Sequence, residues 1–190
     1  KDDPRLPILA ARRSDKSTAI ADLIGMPNGS TGVTVPDTSI YAEPNRNVIT
    51  GRDAPMVFQT YAEVRLLKAE MAFRGWSVPG DAKTHYEAGV KAAMQMLSQL
   101  YTNAAAISDA QVADYLAAKP YDASKGWEMI SEQYWAATLL NEYESYNNWR
   151  RTGYPTLTPI NYDGNVTGGT IPRRLIYPVS EQATNGENYG

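Results

Sequence analysis

The sequence predicts a mainly α fold: a helical hairpin and a long central helix, with long irregular arms packed on them. Three observations carry that expectation. Apolar residues recur at helical spacing only between residues 53 and 153 of the 190. Helix-starting and helix-stopping residues punctuate that stretch. On either side, over 1–52 and 154–190, glycine, proline, asparagine, serine and threonine bring turn chemistry in place of periodicity.

The first arm contains "GMPNGSTGVTVPDTSIYAEPNRN", with one short strand expected from Thr31 to Val35. The first helix is expected to follow Asp53 as its N-cap, with Pro55 in the first turn. Phe58, Tyr61, Leu66, Ala69 and Phe73 form its apolar face, and Gly75 ends it. A second helix from Asp81 to about Tyr101 carries the stripe Tyr86, Val90, Ala93, Leu97 and Leu100. The short loop between these helices makes them an antiparallel hairpin. A third helix starts at Ser108, with Gln111 completing a capping box, and stops at Pro120.

The fourth helix is expected to run from Lys125 to Arg151 and stop at Gly153 and Pro155. Trp127, Ile130, Tyr134, Ala137, Leu140 and Tyr143 lie on one side of it. Trp135, Leu139, Tyr146 and Trp149 lie on another. A helix apolar on two sides is packed on both, which makes this one central.

Composition excludes several functions. A hydrophobic fraction of 43% with 13 tyrosines and 4 tryptophans is that of a folded chain, not a disordered one. A net charge of −3 supplies no field for nucleic acid. With no cysteine there is no disulfide, thiol catalysis or cysteine-based metal site. No apolar run approaches the ~18 residues of a membrane helix. The start, "KDDPRLPILA", has no initiating Met or signal peptide, so the chain reads as a fragment or processed form.

His85, the one histidine, falls in the first turns of a helix and is expected to be exposed. It cannot build a triad or a metal site alone. "NYDGNVTGG" spaces Asn161, Asp163 and Asn165 like a calcium loop but lacks its glycine and distal glutamate, so a turn is expected. No glycine-rich stretch is a P-loop or a dinucleotide fingerprint. Neither a metal nor a cofactor is expected.

Two sets of residues invite chemistry. Glu63 and Glu70 are seven apart, within about 20° on one helix face. At 1.5 Å rise their separation is about 10 Å, within reach of glycoside hydrolysis. Against that, Glu70 can pair with Arg74 at i+4, and buried glutamates commonly meet arginine forks. Arg150 and Arg151 end the central helix, and Arg173 and Arg174 stand in the second arm. We expect these arginines to tie that arm to the helices, partly through Glu63, Glu70 or Glu132. The second set is aromatic: exposed Trp and Tyr stack on the apolar CH faces of sugars. Trp76, in "GWSVPGD", with Tyr41, Tyr121, Tyr154, Tyr162 and Tyr189, falls outside the core stripes. Of these, Trp76, Tyr41, Tyr121 and Tyr162 are the ligand-binding candidates.

The stretch "PMVFQTYAEVRLLKAEMAFRGW … DAKTHYEAGVKAAM" resembles the SusD/RagB family of outer-membrane lipoproteins, in its SusD-like subgroup. "NNWRRTGYP" and "IPRRLIYPVSEQATNGENY" continue the resemblance, which covers nearly the whole chain from "DDPRLP" onward. It implies a non-catalytic, nutrient-binding protein, most often for glycans, that sits on a SusC-like TonB-dependent transporter at the outer membrane. It also implies tetratricopeptide-like helix pairs, and "AKTHYEAGV" (Ala82 to Val90) resembles the second helix of one. The match is to the C-terminal part of a full-length member; the lipid-bearing cysteine and N-terminal repeats have no counterpart in this stretch. The whole chain is then part of one larger domain. The other readings are a helical-repeat protein-interaction module and a glycoside hydrolase using Glu63 and Glu70.

Overall fold

The structure, a computed structural model, describes residues 2–29, 35–175 and 177–188. The chain forms two compact units, Lys1–Leu157 and Thr158–Gly190. The fold is mainly α. In the first unit, α1 (Leu6–Leu9), α2 (Tyr61–Phe73), α3 (Ala82–Leu100), α4 (Asp109–Ala118), α5 (Gly126–Ala137) and α6 (Glu142–Thr152) join two short strands.

α2 starts later than expected. Thr60, not Asp53, is its N-cap: Thr60 Oγ1 accepts from the Glu63 N–H at 3.2 Å, and Glu63 Oε1 accepts from the Thr60 N–H at 2.8 Å. This box satisfies two helix-end groups at once. Asp53 has Met56 three residues on and cannot form it. The buried face is also turned from the expected one. Ala62, Leu66 and Ala69 are buried together with Glu63 and Glu70, whereas Phe58 and Tyr61 are 81% and 65% exposed. A hydrophobicity pattern counts carboxylates as outside, and here two of them are inside.

α3 begins at the Asp81 cap, whose carboxylate accepts from the Thr84 N–H at 2.7 Å. Tyr86, Val90, Ala93 and Leu97 are buried as the stripe requires. α2 packs chiefly on α3 and also on α5. The α2–α3 contact depends on Gly89, because a Cβ there would lie 2.7 Å from Leu66 Cγ. The capping box of α4 forms between Ser108 and Gln111, and Pro120 follows its end.

The long fourth helix is two helices. α5 ends at Ala137, and α6 starts after Asn141, whose Oδ1 accepts from the Glu144 N–H. Between them Thr138 Oγ1 returns to the Tyr134 carbonyl at 2.9 Å, and Leu140 takes a left-handed φ of 72°. The Ser145 hydroxyl then donates to the Thr138 carbonyl at 3.1 Å. Side chains have replaced the helical ladder here. As a result Leu139, Leu140 and Tyr143 are exposed rather than packed. Buried Asn148 donates to the Ser131 carbonyl at 3.0 Å and so binds α6 back onto α5.

The first arm has more structure than expected. β1 (Ala10–Arg12) pairs antiparallel with β2 (Ala42–Pro44), Ala11 opposite Glu43, and Ile8 and Ile49 enter the core. The strand expected from Thr31 falls mostly outside the described residues. Buried Arg5 bonds Asp3 and donates to Gln133 Oε1 at 3.0 Å, fastening the arm to α5. The second unit holds α7 (Val179–Thr184) and a turn in which Asn165 Oδ1 accepts from the Thr167 N–H at 2.9 Å. None of its described residues is buried. Among the described residues no helix is long and apolar enough to cross a membrane.

Candidate functional site

Helix α2 ends in a tight cap. The Gly75 N–H reaches the Ala72 carbonyl at 3.1 Å and the Trp76 N–H reaches Met71 at 2.9 Å, with Gly75 at φ 74°. This paired pattern satisfies the last carbonyls and turns the chain sharply, which only a residue tolerant of positive φ does cheaply. Trp76 leaves that turn 58% exposed.

Behind Trp76 the cap residue Arg74 holds its guanidinium 5.5 Å from the Trp76 ring and 4.4 Å from the Trp127 ring. Phe73 stacks on Trp127 with centroids 6.2 Å apart and planes 24° off parallel. Arg151, from the last turn of α6, lies 5.9 Å from the other aromatic partner, Trp127. Beneath them Glu70 accepts from Arg74 Nε at 3.0 Å and from Arg151 Nη1. The indole N–H of Trp127 reaches the Thr152 carbonyl at 3.3 Å. Three helices thus fix two tryptophans and two guanidiniums in one patch. Flat apolar faces beside polar donors can stack on a sugar ring and hydrogen-bond its hydroxyls.

Of the two paired glutamates, Glu70 holds arginines and Glu63 holds the Thr60 cap, where its Oε1 also accepts from the Thr60 hydroxyl at 2.9 Å. Nearby, burial first and then Glu63 and Glu144 push the Tyr134 phenol well above its usual range, and its hydroxyl donates to Glu144 at 3.1 Å. Glu132 is exposed, and desolvation followed by Glu128 raises its carboxyl.

The other candidates disperse. Tyr121 is half-buried with its ring 5.1 Å from Tyr86, and its buried hydroxyl lacks a partner. It packs on the core instead of offering a face. Tyr41 is half-buried beside β2, its carbonyl accepting from the Arg13 N–H. Tyr162 is 52% exposed in the second unit, and Tyr189 lies outside the described residues. Arg150 lies over Tyr146 at 5.4 Å; Arg174 lies over Tyr177 at 4.9 Å and Arg173 is exposed. His85, expected outside, is 4% exposed. Helix α3 lies against its neighbours from its first turn, so a position near the N-terminus does not confer exposure. In the sequence Trp127 falls in a core stripe and Arg74 reads only as the partner of Glu70; "RGW" is the signal for the second.

A cavity of about 310 Å³ opens elsewhere in the same unit, lined by Arg5, Glu63, Met96, Leu97, Leu139 and Leu140 among others. Its walls mix aliphatic side chains with Arg5, Glu63, Thr60 and Asn141, and the one aromatic side chain among them, Tyr101, is buried. Among the described residues no cluster of three or more His, Asp or Glu is placed to hold a metal ion.

A SusD-like family model, described as starch-binding and associating with the outer membrane, matches residues 1–178. A solved chitin-binding protein is 34% identical, with a TM-score of 0.77 over 98% of this chain and 42% of its own. A Bacteroidetes SusD-like structure is 32% identical, TM-score 0.69, over 85% of this chain and 32% of its own. A SusD homologue from Bacteroides fragilis is 27% identical, TM-score 0.75, over 96% and 44% respectively. The chain therefore spans less than half the length of these structures. A comparison with curated proteins gives no match.

Proposed function

This chain belongs to the SusD-like family, and from that premise we propose that it serves a non-catalytic, glycan-binding component of an outer-membrane nutrient uptake system. The observation that carries the reading is Trp76, exposed yet held between a helix cap and the Arg74 guanidinium. A ring fixed in its bound orientation loses little conformational freedom on binding, so more of the stacking energy appears as affinity. The starch-binding description of the family and the chitin binding of a solved relative support a polysaccharide as ligand.

Within this reading the partner is a SusC-like TonB-dependent transporter, and the protein faces the cell surface or periplasm at the outer membrane. Glu63 and Glu70 act in capping and ion pairing, not in hydrolysis. A second reading, docking of a protein on the helical core, draws on exposed Met56 and Phe58 ahead of α2 and on exposed Tyr143 of α6. Affinity gel electrophoresis through a panel of polysaccharides decides between them. Retardation by one glycan that Trp76→Ala abolishes supports the proposal. Equal mobility in every gel removes it and leaves the docking surface.

A further inference from the structure

We propose that His85 is a positioning residue for Trp76, pinning the 76–80 loop so that the indole stays aimed away from the protein. The inference rests on the reading of Trp76 as a glycan contact only for its consequence, not for its geometry.

The loop has five residues, and its first is fixed by the α2 cap through the Trp76 N–H. Its far end is fixed by α3, where Asp81 caps the helix. Between these anchors the chain would be free to slide. The imidazole of His85 stops it: Nε2 lies 2.7 Å from the Pro79 carbonyl, and since a carbonyl only accepts, the ring donates. The ring is 4% exposed and its Nδ1 is buried without a partner. All of its hydrogen bonding inside the protein is therefore directed at the loop. The loop in turn closes over the ring. Gly80 has φ 93°, a conformation that strains other residues, and a Cβ there would also stand only 3.1 Å from Nε2.

A buried imidazole with one unused nitrogen is costly where leucine would pack. A residue chosen for packing alone would not bring that cost. The hydrogen bond to Pro79 accounts for it, because it holds a loop in which no residue is itself buried.

The test uses the full chain labelled with 5-fluorotryptophan, with the Trp76 resonance assigned through Trp76→Phe. His85→Leu removes the donor, and His85→Gln keeps an amide N–H. We expect His85→Leu to shift or broaden the Trp76 resonance while the signals of Trp127, Trp135 and Trp149 hold. Retardation by soluble starch or glycol chitin, whichever slows the wild-type chain, should weaken roughly threefold to tenfold, the worth of one hydrogen bond. His85→Gln should recover both readouts, which a merely structural role would not require. Gly80→Ala supplies the second variant where His85→Leu fails to fold, and should move the same resonance. An unmoved Trp76 resonance in either variant overturns the proposal. A moved resonance with unchanged retardation upholds the pin and overturns instead the reading of Trp76 as a ligand contact.

Discussion

The two ends of α2 both put large apolar side chains into solvent, by different means. At the N-terminal end Met56, Phe58 and Tyr61 are 81%, 81% and 65% exposed, ahead of or just inside the Thr60 cap. Arg65 reaches the Tyr61 ring at 6.0 Å, the limit of a useful cation–π contact. At the C-terminal end Phe73 and Trp76 are 39% and 58% exposed, and with half-buried Trp127 of α5 they alternate with guanidiniums that Glu70 holds from below. The first end is exposed apolar surface, and the second is exposed surface with a fixed orientation. Only the second has the pre-organisation that recognition rewards.

That contrast can be broken or sharpened by substitution. The largest effect should come from Trp76→Ala, which ought to weaken polysaccharide retardation by about tenfold or more, as loss of a central aromatic contact does. Its melting temperature should stay within about 1 °C, because an exposed ring contributes little to folding. Glu70→Leu comes next. It leaves Arg74 and Arg151 without their shared acceptor, and since both are partly solvated the cost should be about 1–2 kcal/mol. Melting should fall by roughly 3–6 °C, and retardation should weaken as well, because Arg74 no longer backs Trp76. A Glu70→Leu variant that binds normally would show that the cation framework is dispensable.

Thr60→Ala, at the opposite end, should cost about 1 kcal/mol in thermal unfolding through loss of the capping box, with retardation unchanged. Acid should act on the loop side more gently. The Thr84 backbone N–H and hydroxyl hold the Asp81 carboxyl below its ordinary 3.8. A depressed folded-state value means this stabilisation is present above that pH and is lost as pH falls further. Melting of the wild-type chain should therefore drop more steeply than that of Asp81→Asn as pH is lowered through about 4 to 2. The smallest effect belongs to Phe58→Ser: neither melting nor glycan retardation should move, and a lost interaction with a protein partner would instead revive the docking surface.

Several elements were legible from residue order. Asp81 and Ser108 cap their helices, Gly75 ends α2, and the stripe of α3 is buried up to half-buried Leu100, because each depends on groups within a few positions of one another. The Thr60–Glu63 box and the Asn141–Glu144 cap were equally local, yet a continuous run of apolar residues masked them. Hydrophobic periodicity runs past these caps, and capping chemistry prevails in the fold. The site was half visible: the position of Trp76 after a terminal glycine marks it for exposure, but nothing local pairs it with Trp127, some fifty residues away.

Alone, then, the sequence determined a mainly helical protein, the hairpin of α2 and α3, and the kinship that the family match bears out. These follow from spacing, caps and motif order, which are one-dimensional. Only the tertiary structure decided that Glu63 and Glu70 face inward, that His85 is buried beneath its loop, and that Arg151 meets Glu70. A charged or polar side chain can be buried wherever a partner meets it. The identity of that partner is fixed by how helices cross, which no window along the chain contains.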